Sequence, residues 1–315
     1  MQNPSKSQDP EWTILKLLKW TTSYFKTHNI DSPRATAEIL LAHVLKLKRI
    51  DLYLRFDQPL VDKELSRLKT LIKRRIKREP VAYIVGIKEF WSLELAVTKD
   101  VLIPRPETEC LVEAALDLLP EIPPSNPMLN PKRILELGTG SGAITLALAS
   151  MRPNHLFFAS DCSMNAVKLA QKNAKYHGLD TSIHFFCADW FKALTNNAAG
   201  FDIIISNPPY IPTQTIAHLQ PEIYQYEPIS AMDGKQDGLA SLKHIIKKAH
   251  EYLHRQGRLL MEIGHDQKNA VQKIIESCGM YKDVIFSKDY SGYDRIVQMQ
   301  KKCCESKFNL LGKSV

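Results

Sequence analysis

The chain has 315 residues, 44% of them hydrophobic and 24% charged, an ordinary globular composition with room for one large domain and a smaller one. Its longest apolar stretches, Ile39 to Leu45 and Ala143 to Ala149, fall short of the roughly 18 residues a membrane span needs, and no basic-then-apolar segment opens it, so a cytoplasmic protein without a membrane partner is expected. The formal net charge of +8 suits an acidic protein partner or a nucleic-acid surface and does not choose between them.

In chain order, Ile14, Leu17, Leu18 and Phe25 recur at helical spacing. Asp31-Ser32-Pro33 reads as an N-cap with proline in the first turn, followed by Ala37, Leu40, Leu41 and Val44 on one helix face. Val61 to Lys77 is a further amphipathic stretch, and the basic run Lys69 to Arg78 within it reads as a solvated helix face, with a docking surface as the alternative. From Val81 the pattern changes to short β-branched and aromatic runs around Gly86, then alternation from Leu93 to Ile103, predicting a hairpin connector. Glu107 to Leu119 is predicted helical, and Pro120 to Pro131 a linker.

After Lys132, apolar strands alternate with helices. Strands are predicted at 134–137, 156–159, 183–187, 201–206 and 259–263, and helices at 143–151, 163–177, 239–253 and 266–278. Such alternation predicts a Rossmann-like, doubly wound α/β sheet, with two later strands, 283–286 and 295–299, pairing antiparallel at one edge. The six cysteines, Cys110, Cys162, Cys187, Cys278, Cys303 and Cys304, show no C-x-x-C spacing; they read as reduced, mostly buried thiols with no metal site among them.

Glu136-Leu137-Gly138-Thr139-Gly140-Ser141-Gly142-Ala143 follows the first of these strands and opens a helix, a nucleotide-type binding turn. Gly138, Gly140 and Ala143 also fit a dinucleotide fingerprint, and Asp161 ends the next strand where a ribose-binding carboxylate belongs in either fold, so a nicotinamide enzyme stays open here. Glu136 tilts the balance, because a carboxylate there suits a cationic sulfonium ligand better than a pyrophosphate. Asp189 and Trp190 end the third strand, where one can accept from an adenine amino group and the other lie along the ring; a helix N-cap is the alternative for Asp189.

Asn207-Pro208-Pro209-Tyr210 leaves the fourth strand at the edge where such sheets bind ligands. An amide or aromatic amino nitrogen is a poor nucleophile because its lone pair is delocalised. The Asn207 side-chain carbonyl and the Pro208 backbone carbonyl can each accept one N–H of a bound NH₂ group and hold that lone pair in line with a sulfonium methyl. The two prolines stiffen the turn, and Tyr210 offers a ring face for stacking. The reading is methyl transfer from S-adenosylmethionine to a planar nitrogen.

On these residues the chain resembles the bacterial release-factor glutamine methyltransferases, also called protein-(glutamine-N5) methyltransferases. The resemblance covers almost the whole chain and includes Asp31-Ser32-Pro33-Arg34, Glu79 to Ile84, Glu89-Phe90-Trp91, Leu102 to Glu109, Tyr226-Glu227-Pro228, Asp237-Gly238-Leu239 and Gly292 to Arg295. The tetrapeptide is shared with adenine-N6 DNA methyltransferases and some RNA guanine methyltransferases; Arg105-Pro106-Glu107-Thr108-Glu109 separates the release-factor enzymes from a sister family acting on a ribosomal protein. The resemblance implies that Gly138 to Gly142, Asp161, Trp190 and Asn207 bind S-adenosylmethionine, that Asn207 to Tyr210 hold the substrate glutamine, and that the partners are class-I peptide chain release factors, with nucleic acid not required. One departure is Lys235, at a place where the family often has glycine. Taken without the family, Glu79, Arg105 and Glu107 read as interdomain salt-bridge residues, with a substrate-docking role as the alternative. The expected organisation is a helical recognition domain over 1–80, a hairpin connector over 81–103, a methyltransferase domain over 104–300 and a disordered tail over 301–315.

Overall fold

The computed structural model describes residues 12–122, 130–195 and 200–303. Most of the expected Pro120–Pro131 linker, Cys304 and the expected tail beyond residue 303 lie outside the described residues. The chain forms two compact units: residues up to Ile87 together with Gln220–Tyr226, and Lys88 onward apart from that segment.

The first unit is helical, with helices Ile14–Thr27, Pro33–Leu45, Asp51–Leu54, Asp62–Ile76 and Val81–Val85 around a core that includes Phe25, Leu40, Leu41, Leu52 and Leu68. The Thr13 hydroxyl caps the first helix by accepting from Lys16 N at 3.4 Å. Pro33 opens the second as expected, but Ser32 takes a left-handed conformation and makes no capping bond. The segment Val81–Val85, expected extended, is helical. Pro80 precedes it, and Gly86, at φ +79°, closes it with a bond to the Ala82 carbonyl, so the terminal signals override the β-branched composition.

The basic run is less solvated than its pattern suggests. Arg74 binds Glu79 through two nitrogens at 2.7 and 2.5 Å, and Arg75 is buried against Glu222 at 2.8 Å, which also takes Arg78 at 3.1 Å. Glu222 comes from the Gln220–Tyr226 segment, whose Tyr226 hydroxyl donates to the Lys77 carbonyl at 2.6 Å. Glu79 thus pairs inside the first unit, and Arg105 pairs with Glu227 at 2.5 Å inside the second, a correction to the interdomain reading of both.

A hairpin of β1 (Ile87–Phe90) and β2 (Leu93–Ala96) precedes the sheet of the second unit. That sheet contains β3 (Arg133–Leu137), β4 (Leu156–Asp161), β5 (Ile183–Cys187), β6 (Phe201–Ser206), β7 (Leu253–Glu262), β8 (Tyr281–Lys288) and β9 (Asp294–Lys301), in the order β5-β4-β3-β6-β7-β9-β8. The first five are parallel neighbours and β9 runs antiparallel to both β7 and β8. The last strand therefore runs one residue into the segment expected as tail. Pleating splits the core into two. Ile134, Ile203 and Ile205 pack with Leu111 and Leu146 from helices Glu109–Leu116 and Ala143–Met151, while Leu135, Ile204 and Leu259 pack with Leu242 and Val271 from helices Ala240–Tyr252 and Lys268–Cys278. Helices on both faces make this the doubly wound, Rossmann-like sheet expected.

Of the described cysteines only Cys110 is buried; Cys162, Cys187 and Cys303 are exposed, correcting the expectation of mostly buried thiols. Cys187 ends β5, an edge strand with only β4 beside it among the described residues.

Gly142 precedes the first turn of helix Ala143–Met151 at φ +86°, and a Cβ there would stand 3.0 Å from Leu146 Cδ1 and 3.2 Å from Ala170 Cβ. Gly142→Ala combines left-handed strain with overpacking and is expected to cost about 2–4 kcal/mol, measured as a lower urea midpoint with unchanged slope. An unchanged midpoint would show that the turn relaxes freely.

Candidate active site

Strand register assembles the site. Leu137 of β3 lies opposite Ser160 of β4 on one side and Ser206 of β6 on the other, and Ser206 lies opposite Met261 of β7. One residue further along each strand brings Asp161, Gly138, Asn207 and Glu262 to the same carboxyl edge. The order reverses at β3, where the chain goes first to β4 and β5 and then across to β6, and such switch points open a crevice. A cavity of about 320 Å³ lies there, within the second unit.

The glycine turn is held by backbone. Gly138 and Thr139 both donate to the Ser160 carbonyl at 2.9 Å, and Gly140 donates to Asp161 Oδ2 at 2.9 Å, while Asp161 Oδ1 accepts from Ser163 N at 2.9 Å. Glu136 is buried beneath the turn. Its Oε2 accepts from Thr139 Oγ1 at 2.7 Å, from Thr145 N at 3.1 Å and from the Thr145 hydroxyl.

Glu136, Gly138, Thr139, Gly140, Ser141, Asp161, Asp189, Trp190, Asn207 and Pro209 all line the cavity. Gly142, Pro208 and Tyr210 lie outside that lining. Asp189 caps no helix, since turn follows it; its Oδ2 pairs with Lys192 at 2.6 Å. Trp190 sits at φ +52°, a left-handed backbone that a bulky residue adopts only when held there, here with its side chain partly packed on the Phe191 and Leu242 core. The cavity is closed further by Asp100 to Leu102, Pro104 and Thr108, to which sequence reasoning gave no part in the pocket, and by Arg105, for which substrate docking was the alternative reading.

The turn after β6 carries a second network. Asn207 Nδ2 donates to Thr108 Oγ1 at 3.1 Å, the Thr108 hydroxyl donates to Glu262 Oε2 at 2.7 Å, and the Tyr210 hydroxyl donates to Glu262 Oε1 at 2.9 Å. Glu262 is 1% exposed. Burial and its charged neighbour push the Tyr210 phenol far above its ordinary range, so it stays an O–H donor. Buried Gln267 donates from Nε2 to the Tyr210 carbonyl at 2.9 Å and the Gly238 carbonyl at 3.2 Å. Gly238, at φ +71°, approaches so closely that a Cβ would stand 2.4 Å from the Tyr210 carbonyl oxygen. Thr145, Glu262 and Gln267 were missed. A signal was present for one of them: Glu262-Ile263-Gly264 ends β7 with the same Glu-x-Gly pattern as Glu136-Leu137-Gly138 ends β3.

Lys235, the departure noted above, adopts φ +69°, which explains a preference for glycine at that place. Asp233 holds it there, accepting from Lys235 N at 2.9 Å and Lys235 Nζ at 3.0 Å.

A glycine turn at the switch point, carboxylates at the ends of β3 and β4 and an asparagine turn on β6 fit a cationic nucleoside ligand, and residues 130–309 match the family model described as a methyltransferase domain. The protein is an S-adenosylmethionine-dependent methyltransferase. Residues 16–86 match the model described as the PrmC N-terminal domain. The chain is 40% identical to the release factor glutamine methyltransferase of Geobacter sulfurreducens, over 92% of this chain and 98% of that one, and 43% identical to the one of Escherichia coli strain K12, over 84% and 91%. It belongs to the release factor glutamine methyltransferase family. Among solved structures, the hMettl16 catalytic domain in complex with MAT2A 3'UTR hairpin 6 matches with a TM-score of 0.52 at 18% identity, over 76% of this chain and 81% of that one, a likeness of fold alone. Among the described residues no helix is long and apolar enough to cross a membrane.

Burial, with the charge of Asp161 adding to it, pushes the Glu136 carboxyl up to about 7 against the pull of its hydroxyl and amide donors. In the ligand-free protein this raised value means stability lost as pH rises from the unfolded value of about 4.3 towards 7. A bound sulfonium cation favours the ionised carboxylate, so S-adenosylmethionine affinity should strengthen as pH rises through about 7, with proton release on binding below it. Calorimetry at pH 6 and 8 in two buffers measures both effects, and Glu136→Gln should flatten the slope. A pH-independent Kd in the wild type would mean that Glu136 does not sense the ligand's charge.

Proposed function

We propose that this enzyme methylates the side-chain amide nitrogen of the glutamine in the Gly-Gly-Gln loop of class-I peptide chain release factors, giving N5-methylglutamine, and so works in the cytoplasm where these factors act. The observation that carries the reading is the orientation of Asn207. Its Nδ2 is occupied by Thr108, which leaves Oδ1 as the acceptor beside the cavity. A primary amide needs such an acceptor, because its two N–H groups must be gripped for the nitrogen lone pair to turn out of conjugation.

In this reading Asn207 Oδ1 and the Pro208 carbonyl take one N–H each, and the Tyr210 ring supports the flat amide group. S-adenosylmethionine supplies an electrophilic methyl on a sulfonium. Glu136 and Asp161 offer negative charge to its cationic and hydroxyl groups, and Asp189 and Trp190 take the adenine. No base need act before attack, since methylated amide nitrogen is cationic and releases its proton to water. The rate enhancement comes from holding nitrogen and methyl in line. The relatives named for release factor glutamine support the substrate, and the helical unit, matching the PrmC N-terminal domain, is assigned to partner recognition.

The test is transfer of labelled methyl to a purified class-I release factor, beside one whose Gly-Gly-Gln glutamine is replaced and beside DNA. Label on the intact factor alone is expected; label on DNA keeps the chemistry and overturns the substrate, and label on neither redirects the search to a ribosomal protein. Asn207→Ala should lower kcat by about 10²–10³-fold while changing S-adenosylmethionine affinity far less. Full transfer by that variant would rule out the amide grip.

A further inference from the structure

We propose that Glu262 is a positioning residue that sets the orientation of the Asn207 amide through the Thr108 hydroxyl. The inference rests on the assignment of Asn207 as the substrate-amide acceptor. An asparagine amide has two nearly isosteric orientations, one presenting a carbonyl to the cavity and the other an NH₂. Only the first can grip an N–H donor; the second sets donor against donor.

The choice is made by the number of protons in the chain of bonds. The Thr108 hydroxyl has one proton, and it is committed to Glu262 Oε2 at 2.7 Å. Thr108 Oγ1 can then only accept from Asn207, so the group facing it at 3.1 Å must be Nδ2. Glu262 is an acceptor at both oxygens, since Tyr210 donates to the other at 2.9 Å. Burial raises the Glu262 carboxyl, while the Thr108 and Tyr210 hydroxyls and the positive charge of Arg295 oppose that rise. Arg295 is itself held by Asp289 at 3.2 Å and by the Ile263 carbonyl at 3.2 Å. The carboxylate stands at the end of β7, one strand away from Asn207, and acts on the substrate only through other side chains.

Thr108→Val keeps the shape and removes the hydroxyl. It should lower kcat on the release factor by about 10- to 100-fold, the scale of a misplaced contact group, with a smaller change in KM. Thr108→Ser, which keeps the hydroxyl and loses the methyl, should recover most of the rate. A packing role predicts the opposite ranking, with valine active and serine impaired, and that result would overturn the proposal. Glu262→Gln tests the other end. An NH₂ replaces one of the two oxygens that Thr108 and Tyr210 now face, so one hydroxyl loses its acceptor and kcat should fall while the unfolding midpoint stays near that of the wild type. Full activity in that variant would overturn the proposal too. The side-chain NH₂ of Asn207 in ¹⁵N-asparagine-labelled protein reports the same relay without substrate: the separation of its two proton signals should shrink in Thr108→Val and persist in Thr108→Ser. That measurement decides the relay even where the release factor takes no methyl, so its failure and the failure of the substrate assignment are told apart.

Discussion

Two carboxylates taken out of water hold the active-site end of the sheet in place. Stripping water from an ionised carboxylate costs several kcal/mol even after the protein relaxes, and the cost is recovered only with donors aimed at its oxygens. Glu136 collects donors from Thr139 and Thr145, and in doing so pins the glycine turn to the first turn of the helix that follows it. Glu262 collects hydroxyls from Thr108 and Tyr210, and in doing so ties β7 to the segment before helix Glu109–Leu116 and to the turn after β6. Each buried carboxyl thereby fixes the geometry of neighbours that touch the cavity, Glu136 from within its lining and Glu262 from outside it.

These bonds are possible because parallel strands in register end together. A shift of one residue between β3 and β6 would move Asn207 off the row that holds Gly138 and would turn Ile204 from one core to the other. The two hydrophobic cores therefore guard the register, and through it the alignment of ligand turn and amide acceptor. Burial of Ile203, Ile204 and Ile205 contributes to catalysis in this indirect sense, though none of the three lines the cavity.

Much of this was legible in residue order. Strands and helices from residue 133 onward follow simple periodicity, and the Glu136 to Gly142 turn and the Asn207 to Tyr210 turn carry their chemistry in adjacent residues. Thr108, which binds Asn207, and Glu262, which binds Thr108, stand 99 and 55 residues from Asn207 in the chain, and no local pattern couples them. The failure at Val81–Val85 has a different origin. Four of the five residues between Pro80 and Gly86 have high β-propensity, and end signals set a segment this short more than composition does. Cys187 misleads for a third reason: it ends an edge strand, with a neighbouring strand on one side only, and stays exposed.

The boundary between the two units falls inside Tyr226-Glu227-Pro228, and the two halves of that motif have separate duties. Tyr226 closes the segment that returns to the helical unit, its hydroxyl on the Lys77 carbonyl. Glu227 is buried in the second unit, where it accepts from Ile103 N at 3.1 Å and from Arg105. Leu102 and Arg105 both line the cavity, so the same carboxylate that anchors the chain's re-entry into the second unit also fixes the wall facing the glycine turn. A substitution at Glu227 is therefore a change to the active site even though the residue lies outside the cavity lining, and the same holds for Gln267, which anchors the Tyr210 backbone from behind. The amide chemistry depends on few groups, and each is held by a neighbour whose own polar atoms are satisfied elsewhere in the unit.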